Sequence, residues 1–190
     1  MVNMNIKFKM LIKYIFKKIL FSILYTFKFF IKKKNYIIIQ SYSPYSYSEN
    51  SRYLFEYMSN YQSKKYKIFW NTESDEISKF FVKQKLNYIN FRENPMKFIY
   101  IFLSCKILID CGTKFLNFLG LASYDNKIIK ISIYHGGGPK TMPISKILTP
   151  ERQQDINDHN SFNYINFSSD FLKKNCEDNF QLDKRKTLSL

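Results

Sequence analysis

Glycine is scarce in this chain, with five in 190 residues, and three of the five are consecutive. Glycine loses more backbone freedom on folding than any other residue, so a glycine-poor chain that places three together points to positive φ or close approach of another molecule there. Cysteine is scarce as well: Cys105, Cys111 and Cys176 are odd in number, and their spacing matches neither a zinc ribbon nor a redox pair. That excludes a disulfide-stapled fold and leaves reduced thiols in a cytosolic setting, with Cys105 and Cys111 expected in the core. Acidic residues are absent from residues 1–34, which hold nine lysines. No hydrophobic run there is long: the longest lysine-free stretch is Ile19 to Phe27, against the ~20 apolar residues that a membrane-spanning helix needs. Internal repeats, metal-ligand motifs and nucleic-acid-binding motifs are missing too, and no metal or cofactor is expected.

What is present is a large positive charge, +15 from 30 Lys and Arg against 15 Asp and Glu. The lysine-rich start carries +9 of it, and the other 21 basic and 15 acidic residues leave +6. Most of the asymmetry therefore belongs to one segment. A hydrophobic content of 45% is ordinary, and 190 residues suffice for one substantial core plus an appendage. The aromatic content of 18% accompanies high Ile, Lys and Asn, as AT-rich codon usage produces, and is not evidence of a base-stacking surface.

Residues 1–34 read as a basic amphipathic helix. Phe8, Ile12, Ile15, Phe16, Ile19, Ile23, Phe27 and Phe30 recur every three to four residues, with Lys7, Lys13, Lys17, Lys18 and Lys28 on the opposite arc. This is the pattern of a helix lying in a membrane interface, attracted to an anionic surface. A span, a signal peptide and a helix packed on protein are the competing readings. Against a signal peptide, no small-residue cleavage pattern follows; Lys32-Lys33-Lys34 and a strand follow instead. Nucleic acid is not the expected partner, because the lysines alternate with bulky apolar residues that need burial.

From residue 35 onward, strands alternate with helices. Strands are expected at Tyr36–Gln40, Tyr66–Asn71, Tyr88–Phe91, Lys106–Asp110, Lys127–Tyr134, Phe162–Phe167 and from Thr187 on. Helices are expected at Glu49–Tyr61, with periodicity through Tyr53, Leu54, Tyr57 and Met58, and at Asp75–Leu86, with Ile77, Phe80, Phe81 and Leu86 inward. Asn94-Pro95 starts a third helix to about Ser104, and Ser168 can cap a fourth from Ser169 to about Asn179. Residues 140–160 read as a loop or short helical excursion, with His159 as a surface residue. This alternation predicts an α/β domain, a Rossmann-like parallel sheet with helices on both faces over residues 35–190. Ligands then bind beyond the carboxyl ends of strands, where Ser41 to Ser48, Asp110 to Gly112 and His135 all fall.

His135 opens the densest motif, His135-Gly136-Gly137-Gly138-Pro139-Lys140, directly after a β-branched run. An imidazole titrates near working pH and can serve as a general base. Amides of Gly136 to Gly138, if they open a helix, can bind phosphate, and Lys140 can add a point charge. The plainer readings are a strand-to-helix turn with a surface histidine and a solvated lysine. Asp110 reads equally as a strand-end cap.

Taken in order, these segments resemble the CDP-glycerol glycerophosphotransferase family of teichoic acid and capsule synthesis. Ser46-Tyr47-Ser48-Glu49-Asn50 with Tyr53 to Met58 is similar to the family's first loop and helix, and Tyr66 to Trp70 to its second strand. His135 to Lys140 resembles its His-Gly signature, and Ile165 to Phe171 the strand and helix that come next. The likeness spans roughly residues 36–190, and the His-Gly segment is its most specific part. The resemblance implies a GT-B-like transferase at the cytoplasmic membrane face, with this chain as its acceptor-side domain. It assigns His135 as general base and Gly136, Gly137, Gly138, Lys140, Ser46 and Asn50 to substrate. A lipid-linked acceptor is implied, with CDP-glycerol held only once a second domain joins, so a truncated or split form is expected. Another GT-B-like sugar or polyol-phosphate transferase and a non-catalytic membrane-associated subunit stand as alternatives.

Overall fold

The computed structural model describes residues 26, 29–111, 127–133, 153, 156, 157 and 159–189. Strands β1 (Tyr36–Gln40), β2 (Lys67–Asn71), β3 (Tyr88–Ile89), β4 (Ile107–Asp110), β5 (Ile129–Ile133), β6 (Tyr164–Phe167) and β7 (Thr187–Ser189) form one sheet. Helices α1 (Glu49–Tyr61), α2 (Asp75–Lys83), α3 (Pro95–Ser104) and α4 (Asp170–Phe180) connect them. All pairings are parallel, and the strand order is β3-β2-β1-β4-β5-β6-β7.

β1 is central, and its Ile37, Ile38 and Ile39 have no exposed surface. A strand covered on both faces reads as a continuous apolar run, which is why Tyr-Ile-Ile-Ile-Gln occupies this place. Alternation then sorts the core into two layers. Ile37 and Ile39 pack with Phe55 of α1, Trp70 and Phe81 of α2. Ile38 packs with Phe69, Leu108 and Phe98 and Phe102 of α3, in a cluster that also takes Phe162, Ile165 and Cys176 of α4. The sheet thus has α1 and α2 on one face and α3 and α4 on the other, as the alternation predicted.

Three helix starts are capped by side chains: Ser74 Oγ accepts from Ile77 N, Asn94 Oδ1 from Lys97 N at 2.9 Å, and Ser169 Oγ from Leu172 N. The fourth cap is therefore Ser169 rather than Ser168, because it is Ser169 whose extended backbone turns its hydroxyl onto the first turn. α2 stops at Lys83, short of Leu86, because Lys85 adopts φ 55° and Leu86 N folds back to Phe81 O. The inward faces also differ from expectation. Tyr53 and Tyr57 are 70% and 55% exposed, and Ser51 and Phe55 occupy the buried stripe, flanked by half-buried Leu54 and Met58. Phe80 is likewise exposed while Phe81 is fully buried. Gln153, Ile156, Asn157, His159 and Asn160 are helical, in line with the helical excursion, and Ile156 is buried.

No helix among the described residues is long and apolar enough to cross a membrane. The amphipathic reading of residues 1–34 falls almost wholly outside the described residues. The end of that segment is visible, and it is docked. Lys33 Nζ donates to Leu103 O at 3.0 Å and Lys34 N to Ser104 O at 2.8 Å, so two of its lysines satisfy carbonyls at the carboxyl terminus of α3.

Candidate functional site

The sheet's connections run outward from β1 in one direction and from β4 in the other, so the strand order reverses between these two strands. A doubly wound sheet has its ligand crevice at such a point, beyond the carboxyl ends of the strands. Its floor is polar. Gln40 stands in register with Asp110, and Asp110 with Ser132 of β5, while Asn71 of β2 donates through Nδ2 to Gln40 Oε1. These four residues form a row across β2, β1, β4 and β5, each at most 5% exposed. Burying polar groups is costly unless they are hydrogen-bonded, so such a row at a strand-end crevice marks a place built for more than packing. Ser41 and Cys111, the next residues along β1 and β4, are also fully buried.

Above this floor sits the loop from Ser41 to Ser48. Ser46 Oγ donates to Ser41 Oγ at 3.1 Å, and Ser41 and Ser48 hydroxyls lie 3.5 Å apart. Ser48 is the N-cap of α1 without using its side chain as a cap, and Glu49 then takes a left-handed φ of 64°. Such a backbone in a residue with a Cβ costs about 1–2 kcal/mol. Tyr47 holds the loop down: its ring lies 4.8 Å from Trp70 and 5.1 Å from Phe81, and its hydroxyl donates to Glu56 Oε1 at 3.0 Å. Burial first, and then the Glu56 hydrogen bond, push its phenol well above the usual range, so it remains a neutral donor. Arg52 Nε donates to the same Glu56 oxygen at 2.8 Å and holds that carboxyl below its ordinary value.

Neighbouring loops are stitched to this one. Thr72 Oγ1 and Glu73 N both donate to Pro44 O, at 2.9 and 2.8 Å. Tyr45 hydroxyl donates to Glu73 at 2.9 Å and accepts from Arg92 Nη2 at 2.7 Å, with Arg92 and Glu73 themselves 3.1 Å apart. On the other side Cys111 Sγ donates to Ile133 O at 3.1 Å, two residues before His135 in the chain. Burial pushes the Cys111 thiol up to about 11. All three cysteines are buried. Native protein at pH 8 should therefore take up almost no iodoacetamide and denatured protein three equivalents, a result mass spectrometry checks directly.

Of the residues expected at the site, Ser46 is half-buried within the serine cluster and Asn50 is exposed on the first turn of α1, both at the carboxyl end of β1. His135, Gly136, Gly137, Gly138 and Lys140 lie outside the described residues. Asp110 is fully buried in the polar row. His159 is half-buried rather than on an open surface, its ring stacked 4.2 Å from that of Phe180. Sequence reasoning passed over Gln40, Asn71 and Ser132. The signal was there for two of them: the apolar runs of β1, β2 and β4 each end on a polar residue, in Ile-Gln, Trp-Asn and Ile-Asp. Among the described residues no group of His, Cys, Asp or Glu could hold a metal ion.

The family described as CDP-glycerol:poly(glycerophosphate) glycerophosphotransferase matches residues 21–190. The chain belongs to that family. No curated protein matches the sequence. Among solved structures, this glycerophosphotransferase-family chain is similar to the wall teichoic acid polymerase TagF. A histidine-to-asparagine variant of TagF superposes with a TM-score of 0.60 at 15% identity, over 82% of this chain and 38% of that one. The same variant with CDPG gives 0.61 at 14% identity, over 83% and 39%, and TagF without a stated substitution gives 0.57. At this identity the likeness establishes the shared fold, and the family-member chain spans well under half of the TagF chains' length.

Proposed function

We propose that this chain is the acceptor-side domain of a membrane-associated glycerophosphotransferase. The reaction would move glycerol phosphate from CDP-glycerol to a lipid-linked polyol-phosphate or glycan acceptor, in teichoic acid or capsule synthesis. The observation that carries the reading is the family match over residues 21–190, on a sheet whose reversal point holds a buried polar row beneath the Ser46 loop.

In this reading an acceptor hydroxyl attacks the β-phosphorus of CDP-glycerol. The new bond joins that oxygen to phosphorus, the bond to the bridging oxygen breaks, and CMP leaves with the electron pair. His135 takes the hydroxyl proton as general base. Amides of Gly136 to Gly138 and the Lys140 ammonium offset the phosphate charge, while Ser46 and Asn50 hold the acceptor. Donor contacts come from a second domain outside these 190 residues, and no metal or cofactor takes part.

CMP release tests the proposal. The purified 190-residue chain, given CDP-glycerol and a lipid-linked glycerophosphate acceptor, should release CMP no faster than buffer, and addition of a complementary donor domain should restore turnover. Turnover with a nucleotide-sugar donor instead would favour a different GT-B-like transferase. Binding of acceptor without turnover in any combination would favour a non-catalytic subunit.

Residues 1–34 supply peripheral attachment to the cytoplasmic face in this proposal. Each lysine near an anionic leaflet contributes on the order of 1 kcal/mol, so attachment should weaken with salt. Flotation with anionic liposomes should show retention at low salt and release at high salt. Retention through alkaline carbonate would mean a true span, and absence of binding at low salt would remove the membrane from the reading.

A further inference from the structure

In a parallel sheet every strand starts on the same edge, and here that edge is basic. Lys34 precedes β1, Lys65 precedes β2, Lys85 precedes β3, Lys106 precedes β4, Lys127 precedes β5 and Lys186 precedes β7. The first five of these side chains are exposed. Among the described residues the opposite edge carries more acid: Glu49, Glu73, Asp75, Glu93 and Asp170 follow carboxyl ends of strands, with Arg92 paired to Glu73 among them. The described residues are thus polarised along the strand axis, and the long basic segment that begins the chain joins the domain at the basic edge, through Lys32 to Lys34.

Helix carboxyl termini also point to that edge and attract cations. They account for Lys33 and Lys34 at the end of α3 and for Lys83 in the last turn of α2, whereas α1 and α4 carry no basic residue in their last turns. Between Tyr57 and Thr72 there are three lysines and no acid. The α1–β2 connection also lines a cavity of about 290 Å³, with Ser59, Ser63, Lys67, Lys85 and Asn87 at its wall. Phe29 and Phe30 are 67% and 81% exposed immediately before Lys32, and Tyr61, at the end of α1 facing this edge, is 71% exposed. Lysine mixed with exposed aromatic rings is the composition of surfaces that sit at lipid headgroup level.

We propose that the amino-terminal edge of the sheet is a docking face for an anionic lipid bilayer. The bilayer's phosphates meet the lysines, Phe29 and Phe30 enter the headgroup layer, and the crevice at the carboxyl ends faces away, one strand length or roughly 16 Å further out. A second copy of the chain is disfavoured on this face by like charge. The inference rests on the peripheral-membrane reading above for the identity of its partner, and it adds a surface of the folded domain to the leading segment.

The test uses the full chain and vesicles of phosphatidylglycerol in phosphatidylcholine, with pure phosphatidylcholine as control. The combined variant Lys64→Glu, Lys65→Glu, Lys85→Glu should partition about tenfold or more less onto anionic vesicles at moderate salt. Because the native cysteines are buried, a fluorophore can be placed on Asn87→Cys at the basic edge or on Glu76→Cys at the opposite one. Brominated lipid should quench the first and leave the second unaffected. Undiminished partitioning of the triple variant, quenching of both labels alike, or tighter binding to a single-stranded oligonucleotide than to vesicles would each overturn the proposal. CMP release with a soluble acceptor analogue, after addition of the donor domain, reports the transferase reading separately, so failure of one leaves the other standing.

Discussion

Joined to a donor domain, the His135→Ala variant is expected to transfer glycerol phosphate at least about 100-fold more slowly than the parent chain, within the range that general-base help supplies. A factor of 100 is about 2.7 kcal/mol of transition-state stabilisation. Loss should fall on kcat and kcat/KM together, since a base acts in the transition state and contributes little to holding the ground state. His135→Asn is the sharper control, for it keeps a polar side chain of similar reach that cannot take up the proton. Single-turnover CMP release, with thermal unfolding as a check on folding, measures both. A near-full rate for the asparagine variant would make His135 a positioning residue and end its assignment as base.

The second large effect is on stability. Phe55 has no exposed surface and meets Tyr47, Trp70 and Phe81 at ring distances between 5.4 and 6.2 Å. Phe55→Ala should destabilise the domain by about 3–5 kcal/mol, the usual cost of emptying a buried aromatic site. Tyr53→Ala, two residues away on the exposed side of the same helix, should stay within about 0.5 kcal/mol. Urea denaturation of the two variants decides the matter. The outcome also bears on the site, because Phe55 is part of the aromatic floor on which Tyr47 pins the serine loop.

That pair of residues shows where the sequence could be read and where it could not. β1 and α1 were placed to the residue, since a β-branched run and a strong helical period leave little freedom in the chain direction. Rotation about the helix axis was another matter. Tyr53 and Tyr57 looked like core because tyrosine is half apolar, and only the packing of Phe55 against Trp70 settles which stripe is buried. Ends were missed for local reasons: Lys85 closes α2 with a left-handed backbone that a lysine rarely adopts. At the site, the loop from Ser41 to Ser48 was legible from its serines and its position after β1, whereas the polar row was not. Gln40, Asp110 and Ser132 come from strands far apart in sequence, and their adjacency exists only once parallel register is known.

The polar row has a consequence for how the sheet assembles. A strand reading Ile-Ile-Ile makes nearly equivalent apolar contacts if it slides along its neighbour, so its interior residues are poor at counting. Gln40, Asn71 and Asp110 are not. Sliding β1 by one position against β4 would separate Gln40 from Asp110 and bring a carboxylate alongside an isoleucine in the dry interior, at a desolvation cost no sliding contact repays. The polar ends therefore act as stops that align three greasy strands, and substitutions such as Asn71→Leu would be felt first as ambiguity of alignment during folding and only afterwards as a change in the crevice.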